Sequence, residues 1–252
     1  MFEVSLELAL ALIAVAAVAG FVDAIAGGGG LITAPALVLA GASPVEALGT
    51  NKVQSTFGAG SATLSYARAG HVDLRTQGGM AVSAFMGAMC GAGLALVIPS
   101  DLLRWILPVV LCGVALFFAI KRGLDDTDRV ARMGAGLFGA TVVPLVGLYD
   151  GFLGPGTGSF FMLAFVMLAG FGVLKATAHT KLLNLASNLG GLLIFAIGGE
   201  VWWSVGFAMG VAQFVGARLG AGLAMRVGSR LIKPLLVIVS LALAVRLVWD
   251  LV

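Results

Sequence analysis

Apolar residues dominate this chain in long runs, and short polar or glycine-rich stretches interrupt those runs. A membrane-spanning helix needs about 20 largely apolar residues, and roughly ten such segments fit along the chain. The first covers about 5–22, and a second segment of the same kind covers about 133–149. The pattern therefore predicts an all-α polytopic membrane protein.

Composition strengthens this prediction and excludes an ordinary soluble domain. The chain is 60% hydrophobic and 11% charged, with a mean hydropathy of +1.08, whereas soluble domains carry about 25% charged residues. Its 37 Gly and two Tyr suit closely packed membrane helices better than an outer-membrane barrel with aromatic girdles. The net charge of +3 reports loop orientation in such a bundle, and it implies no nucleic-acid partner.

The chain contains an internal duplication that runs almost from end to end. Lys52 corresponds to Lys181 at a step of 181 − 52 = 129, and Asp23 corresponds to Asp150 at 150 − 23 = 127. The step of 129 also joins Gly70 to Gly199, Gly87 to Gly216, Gly91 to Gly220, and Ser100 to Ser229. We therefore predict a first transmembrane repeat over 1–124 and a second over 125–252, integrated into one membrane domain.

Each repeat contains one unusually short apolar segment after a glycine-rich break, at about 30–41 and 157–170. These segments are shorter than a usual membrane span, so each is either a re-entrant dip or a compact crossing lined by protein. The pattern predicts Gly-interrupted or short helices at the pseudo-symmetric centre of the fold, with about five segments in each repeat.

Loop charges decide the topology of the predicted repeats. Loop 68–75 is basic while its equivalent at 198–203 is acidic, and the turn at 226–233 is basic while its equivalent at 99–104 is balanced. If basic loops stay in the cytoplasm, equivalent loops lie on opposite sides of the membrane. This favours two inverted repeats of five crossings, with both termini outside. The polar stretch 121–132 is then a solvated cytoplasmic loop between them.

The two glycine-rich breaks are the first candidate binding elements. Glycine permits sharp turns, and the first turn of the following helix offers unpaired N–H donors and a positive dipole end, which suit an anion. Matched broken segments in inverted halves also point to a substrate site at the membrane midplane. The candidate residues in these breaks are Gly28, Gly29, Gly30, Gly156 and Thr157.

Polar side chains on the third segment of each repeat are the second candidate element. Lys181, Asn184 and Asn188 follow an i, i+3, i+7 spacing on one helix face, and the equivalent region of the first repeat contains Asn51, Lys52, Gln54 and Ser55. A polar stripe on an apolar helix is expected to point into the bundle. Lysines that bracket an anion across the pseudo-two-fold axis are one interpretation, and lysines that snorkel to the headgroups are the alternative.

Three further residues are candidates for coupling transport to an ion. Asp23 and Asp150 stand four residues before the glycine-rich breaks, where each is a proton carrier, a Na⁺ ligand or a simple turn cap. His179 lies close to Lys181 and titrates near neutral pH in its unperturbed form. No cofactor and no metal site is predicted, because Cys90 and Cys112 lack any ligand-type spacing with His residues.

The motifs that carry this argument resemble the sulfite exporter TauE/SafE family of bacterial membrane permeases. The resemblance covers essentially the whole chain and rests on GFVDAIAGGGGLITAPAL with GTNKVQSTFGA, and on GFLGPGTGSFFMLAF with ATAHTKLLNLASN. It implies transport of sulfite, organosulfonates such as sulfoacetate, or related small anions across the bacterial cytoplasmic membrane. By correspondence it implies an anion site at Gly28, Gly29, Gly30, Asn51, Lys52, Gly156, Thr157, Lys181, Asn184 and Asn188.

The sequence thus predicts a secondary transporter, and not an enzyme, that exports a small sulfur-containing oxyanion by alternating access. Its expected partners are the anion, the lipid bilayer and H⁺ or Na⁺ as a coupling ion. An anion channel is the first alternative. An intramembrane enzyme is the second, although the chain has only two His to build a catalytic site.

Overall fold

Every element of the computed structural model is a helix within the residues it describes, which are 3–99, 126–228 and 230. In the first repeat the helices are α1 (Leu6–Ala26), α2 (Gly29–Leu39), α3 (Pro44–Arg68) and α4 (Gly78–Val97). In the second they are α5 (Ala135–Phe152), α6 (Thr157–Met167), α7 (Val173–Gly198) and α8 (Trp203–Val227). The predicted fifth segment of each repeat and the boundary at 124/125 lie outside the described residues.

Five of these helices, α1, α4, α5, α7 and α8, are long and apolar enough to cross a membrane. The described chain is therefore a multi-pass membrane protein, as predicted. The helix α3 is as long as the others but carries the polar residues around Lys52, which lower its hydropathy. Its start is fixed by a capping box in which Ser43 and Glu46 bond each other's backbone N–H groups.

The short apolar segments form the short helices α2 and α6, each of 11 residues. Each short helix folds back along the long helix before it. In α6, the rings of Phe160 and Tyr149 lie 5.0 Å apart, and those of Phe165 and Phe138 also lie 5.0 Å apart. At about 16 Å in length, such a helix covers about half of the hydrocarbon core.

The two repeats contact each other reciprocally. The helix α1 packs against α8, and its equivalent α5 packs against α4. A Cβ atom on Gly216 would clash with the carbonyl oxygen of Ala17, and a Cβ on the equivalent Gly87 would clash with that of Pro144. Because 144 − 17 = 127 and 216 − 87 = 129, these two contacts are separated by the same sequence steps as the matched residues found above.

One end of the bundle is acidic and is held by hydrogen bonds at its turns. The Glu3 carboxylate accepts the N–H groups of Ser204 and Val205, and Trp202 donates its N–H to Thr50 and its indole N–H to Glu46. The turn after α2 lies in the same apolar cluster as the start of the chain. We call this the acidic end, and its acidic residues are Glu3, Glu46 and Glu200.

The opposite end collects basic residues. Gln77, at the start of α4, donates to the carbonyl of His179 near the start of α7, and Arg129 donates its N–H to Gly170 in the turn after α6. We call this the basic end, and its basic residues are Arg68, Arg75, Arg129, Arg132, Lys175 and Arg226. The turn after α6 therefore lies at the basic end, whereas the equivalent turn after α2 lies at the acidic end.

The polar segment before α5 is tied to the start of α7. The Asp128 carboxylate accepts the side chain of Lys175 at 2.7 Å and the N–H of Gly172 at 2.7 Å, and Asp126 accepts the N–H of Leu174. The hydrogen bonds from Lys175 and Gly172 lower the pKa of Asp128. Two carboxylates thus cap a helix N-terminus, where the helix dipole favours negative charge.

Candidate functional site

The two glycine-rich breaks meet at the centre of the described bundle. A Cβ on Gly27 would lie 2.6 Å from the backbone of Gly158, and a Cβ on Gly30 would lie 3.4 Å from Pro155. Ser159 also donates its hydroxyl to the carbonyl of Ala26 at 3.0 Å. Glycine is required here both for this close backbone approach and for the positive φ angles of the breaks, such as +76° at Gly27.

The N-termini of α2 and α6 both open into one cavity at this crossing. The N–H groups of Gly30 and Gly158, each the second residue of its helix, have no acceptor among the described residues. Gly28 and Gly156 precede the helices in the left-handed conformation, with φ of +99° and +87°. Two positive helix ends with unpaired donors converge, an arrangement that attracts negative charge.

The cavity has a volume of about 20 Å³, which is close to the minimum that one buried water needs. Its lining consists of backbone at the breaks together with short polar side chains from α1, α3, α5 and α7. The lining residues are Asp23, Gly28, Gly30, Asn51, Ser55, Asp150, Gly154, Gly156, Thr157, Gly158, Asn184 and Asn188.

Each candidate lysine pairs with the aspartate of the other repeat. The Lys52 ammonium lies 2.9 Å from Asp150 Oδ1 and donates to the Asp150 carbonyl at 2.5 Å. The Lys181 ammonium lies 3.0 Å from Asp23 Oδ2 and also donates to the Asp23 carbonyl. Both lysine side chains are 1% exposed. The lysines point into the bundle, and the snorkelling alternative is wrong for both.

The lysines do not line the cavity directly. A Cβ on Gly154 would lie 3.1 Å from the Lys52 ammonium, and a Cβ on Gly158 would lie 3.6 Å from the Lys181 ammonium. Both glycines line the cavity, so each ammonium lies behind a residue without a side chain. Because the aspartates neutralise the lysines, the four charged groups together carry no net charge.

Asn51 is held in one orientation at the cavity wall. Its side-chain oxygen lies 2.6 Å from the Thr33 hydroxyl and accepts the Gln54 amide at 3.1 Å. Its amide nitrogen would lie 3.3 Å from a Cβ on Gly30 and has no acceptor among the described residues. Asn51 therefore presents N–H donors beside the unpaired N–H of Gly30, whereas Gln54 acts from behind Asn51.

Two buried side-chain oxygens at the cavity lack a donor in the described part of the chain. They are Oδ2 of Asp150 and Oδ1 of Asn184. Asn184 corresponds to Ser55 at 184 − 55 = 129, and both residues line the cavity. Buried acceptors without a donor are costly, so these two oxygens are the atoms of the cavity wall that still require a donor.

Most of the predicted site residues line the cavity. Gly29 and His179 are among those that do not. Gly29 donates its N–H to Asp23 Oδ1 at 3.1 Å, so Asp23 caps the start of α2 from within α1 and does not lie in a turn. His179 packs between the rings of Phe165 and Phe171, at centroid distances of 5.7 and 4.9 Å, and does not line the cavity.

Four functional positions were not among the sequence candidates. Gly154 and Gly158 line the cavity, Thr33 orients Asn51, and Tyr149 donates its hydroxyl to the Pro155 carbonyl at 2.6 Å. Both glycines belong to the same glycine-rich break as Gly156, so the sequence pattern that identified Gly156 could also have identified them. Nothing local marks Thr33 or Tyr149, because their partners are distant in sequence or depend on the fold of the break.

Known proteins resemble this chain over almost its whole length. The family model described as sulfite exporter TauE/SafE matches residues 12–247. A protein from Sinorhizobium sp named probable membrane transporter protein ORF9 is 54% identical over 250 residues, covering 99% of this chain and 96% of the relative. The probable membrane transporter protein YfcA of Escherichia coli strain K12 is 48% identical over 250 residues, covering 99% and 93%.

A relative from Haemophilus influenzae, named probable membrane transporter protein, is 43% identical over 248 residues, covering 98% of this chain and 97% of the relative. No solved structure matches the chain. The chain belongs to the sulfite exporter TauE/SafE family.

Proposed function

We propose that the protein is a secondary transporter that exports a small sulfur-containing oxyanion, such as sulfite or an organosulfonate, across the bacterial inner membrane. The observation that carries this proposal is the convergence of two helix N-termini on one cavity, with a buried lysine behind each break. Family membership and the relatives' names as probable membrane transporters support transport as the activity.

The chemistry of the cavity favours an oxyanion over a halide. Backbone N–H groups from Gly30 and Gly158 and the Asn51 amide offer several directed donors around a small volume. An oxyanion has several oxygens that accept such donors at once, and charge-assisted hydrogen bonds are about twice as strong as neutral ones. The lysines add positive charge in a region of low dielectric, where charge interactions are strong.

The way in which the halves are joined supports alternating access. We infer that the repeats are inverted, because equivalent turns lie at opposite ends of the bundle, the turn after α2 beside the acidic end and the turn after α6 beside the basic end. With basic loops in the cytoplasm, the acidic end, which includes Glu3, faces outward, and this supports an N-terminus on the outside. Rocking of inverted halves around a central site exposes that site to each side in turn.

The two Lys–Asp pairs are the contacts that such a movement changes. Each pair joins the repeats, and an anion that enters the cavity competes with Asp23 or Asp150 for a lysine. Binding of the anion then weakens a contact that holds the closed cavity. This links occupancy of the site to a movement of one half against the other, since a ligand shifts the equilibrium toward the state it binds better.

Transport assays on purified protein in proteoliposomes test the proposal. Uptake of labelled sulfite or methanesulfonate is expected to saturate with concentration, and Lys52→Ala and Lys181→Ala are each expected to abolish the saturable part. Lys175→Ala is the matched control, because Lys175 pairs with Asp128 at the basic end and is 45% exposed. Saturable transport by both Lys52→Ala and Lys181→Ala would remove the lysines from the mechanism.

The alternatives give different results in the same assay. A channel gives flux that never saturates and that follows the membrane potential alone. An intramembrane enzyme converts a labelled substrate to product without moving it across the bilayer. The described residues contain no group of three or more His, Cys, Asp or Glu side chains placed to hold a metal ion.

A further inference from the structure

The two Lys–Asp pairs differ in how completely each aspartate is bonded. Both carboxylate oxygens of Asp23 have donors, since Oδ1 accepts the N–H of Gly29 and Oδ2 accepts Lys181. In Asp150 only Oδ1 has a donor, Lys52, and Oδ2 has none among the described residues. The Asp23 side chain is 14% exposed and that of Asp150 is 4% exposed. The more deeply buried carboxylate is therefore the less completely bonded one.

The free oxygen of Asp150 belongs to the cavity wall together with a second unpaired acceptor. Asn184 lines the same cavity, and its Oδ1 also lacks a donor within the described ranges. A carboxylate is acceptor-only when ionised but gains an O–H donor when protonated. A proton on Asp150 Oδ2 thus supplies a donor to a cavity of about 20 Å³ that holds two unpaired acceptors.

We propose that Asp150 takes up one proton when an anion binds, and that this protonation transfers the Lys52 charge from Asp150 to the anion. The inference rests on the proposed anion transport and names the ion that is bound together with the anion. The proton comes from solution and forms an O–H bond at Oδ2, with no redox change. The Lys52–Asp150 pair carries no net charge beforehand, +1 after protonation, and no net charge again once a monovalent anion is bound.

A proton suits this position better than Na⁺. The Lys52 ammonium lies 2.9 Å from Asp150 Oδ1, and a metal cation at Oδ2 of the same carboxylate would stand within a few ångströms of that ammonium. Two like charges this close repel each other strongly away from bulk water. A proton avoids this repulsion because it neutralises the carboxylate.

Among the ionisable groups around this part of the cavity, Asp150 is the one that is available to accept a proton. From α3 the facing group is Lys52, from α1 it is Asp23 across the cavity, and from α7 it is Lys181, which pairs with Asp23. The neighbouring Tyr149 hydroxyl is committed to the Pro155 carbonyl. The helix α6 contains no ionisable residue, and α4 contains only Cys90, which is exposed.

Isothermal titration calorimetry tests the proposal on the full chain in nanodiscs. Methanesulfonate is the probe, because it remains a monoanion over the whole pH range of the experiment. Titrations in two buffers with different ionisation enthalpies give the number of protons taken up per anion. The wild-type protein is expected to take up about one proton per bound anion. In the pH range where a full proton is taken up, its affinity for methanesulfonate is expected to fall about tenfold for each unit that the pH rises.

Asp150→Asn mimics the protonated side chain and is expected to bind methanesulfonate without proton uptake and with an affinity that pH does not change. Asp128→Asn, whose carboxylate pairs with Lys175 at the basic end, is the matched control and is expected to keep an uptake of about one proton. Asp23→Asn tests whether the fully bonded carboxylate takes up the proton instead. Proton uptake by Asp150→Asn equal to that of the wild type would overturn the assignment, as would its loss in Asp23→Asn with binding retained.

The wild-type measurement decides the question even if Asp150→Asn fails to fold. Saturable binding of methanesulfonate with no proton uptake overturns the proton site and leaves the proposed transport standing. Absence of saturable binding for both methanesulfonate and sulfite at every pH overturns the proposed function, and the proton site with it. The two failures are therefore distinguishable in one set of titrations.

Discussion

Removing Lys52 alone is expected to destabilise the protein strongly, whereas removing its partner as well should restore stability without restoring transport. Lys52→Met leaves the Asp150 carboxylate buried at 4% exposure without its ammonium. Breaking a buried ion pair by deleting one partner costs about 3–5 kcal/mol, while apolar residues in place of both partners are often neutral or stabilising. Lys52→Met with Asp150→Leu should therefore regain most of the lost free energy of unfolding.

The pair in the other half provides an internal comparison. Lys181→Met should cost less than Lys52→Met, because Asp23 is 14% exposed and keeps the N–H of Gly29 as a donor. We expect a loss near the lower end of the range, at about 3 kcal/mol. The expected loss of stability is thus larger for the lysine whose aspartate keeps fewer hydrogen-bond donors.

Equilibrium unfolding in mixed detergent micelles, followed by circular dichroism, measures these free energies, and proteoliposome transport measures activity. The double variant should be folded and inactive. If it is as unstable as Lys52→Met alone, the charge left on Asp150 is not the cause of the destabilisation. If it transports the anion with wild-type saturation, Lys52 has only a structural role.

Three further predictions concern the packing, the basic end and the topology. Gly91→Ala would place a Cβ against a carbonyl of α5, and the overpacking should cost about 1–3 kcal/mol of stability in the same unfolding assay. Gly93→Ala is the control, because its Cβ would meet no atom within 4 Å, and it should be nearly neutral. The lowered pKa of Asp128 means that its bonds stabilise the start of α7 above the pKa of the unfolded chain and are lost as pH falls through the lower folded value. The protection factors of the amides at 172–175, which correct the exchange rates for the intrinsic slowing of exchange in acid, should therefore fall on acidification in the wild type and stay low at all pH values in Asp128→Asn. In a cysteine-free background, Arg75→Cys should react with an impermeant maleimide only from the cytoplasm and Glu200→Cys only from outside, and reaction of both from one side would refute the inverted topology.

The short helices and their breaks could be predicted from the sequence because the same pattern of aspartate, glycine cluster and short apolar segment occurs twice. A single glycine cluster at 27–30 permits many structures, but a second one at a constant step with an aspartate before it restricts them to a matched pair of broken helices. The predicted segments at 30–41 and 157–170 correspond to Gly29–Leu39 and Thr157–Met167. The helical burial of Lys181, Asn184 and Asn188 likewise followed from their spacing.

The pairing of each lysine with an aspartate was not predicted, because it depends on contacts between repeats. Lys52 and Asp150 are separated by 98 residues, and Lys181 and Asp23 by 158. Periodicity within a helix tells which side chains share a face but not which face of another helix they meet. The sequence therefore indicated two cations around an anion, whereas in the structure each lysine lies behind the cavity wall and is paired with an aspartate that lines the cavity.

The difference between the two pairs was equally inaccessible from the sequence. Asp23 and Asp150 are equivalent in the repeat, yet Gly29 donates to Asp23 and no described group donates to Oδ2 of Asp150. The distinction arises from backbone geometry at the breaks, where Pro155 and Thr157 stand in the second half and glycines in the first. Small changes of sequence at a tight turn redirect single N–H groups, and such changes of direction are visible only in a three-dimensional structure.

We propose that an anion binds between the N-termini of the two short helices, within reach of lysines that its arrival releases from their aspartates. A crystal structure with 2-bromoethanesulfonate, whose bromine is located by anomalous scattering, is the decisive test. We expect a sulfonate at the N–H groups of Gly30 and Gly158, with the Lys52 ammonium turned from Asp150 toward it. A sulfonate bound elsewhere, or one bound there with both lysines still paired, would contradict it.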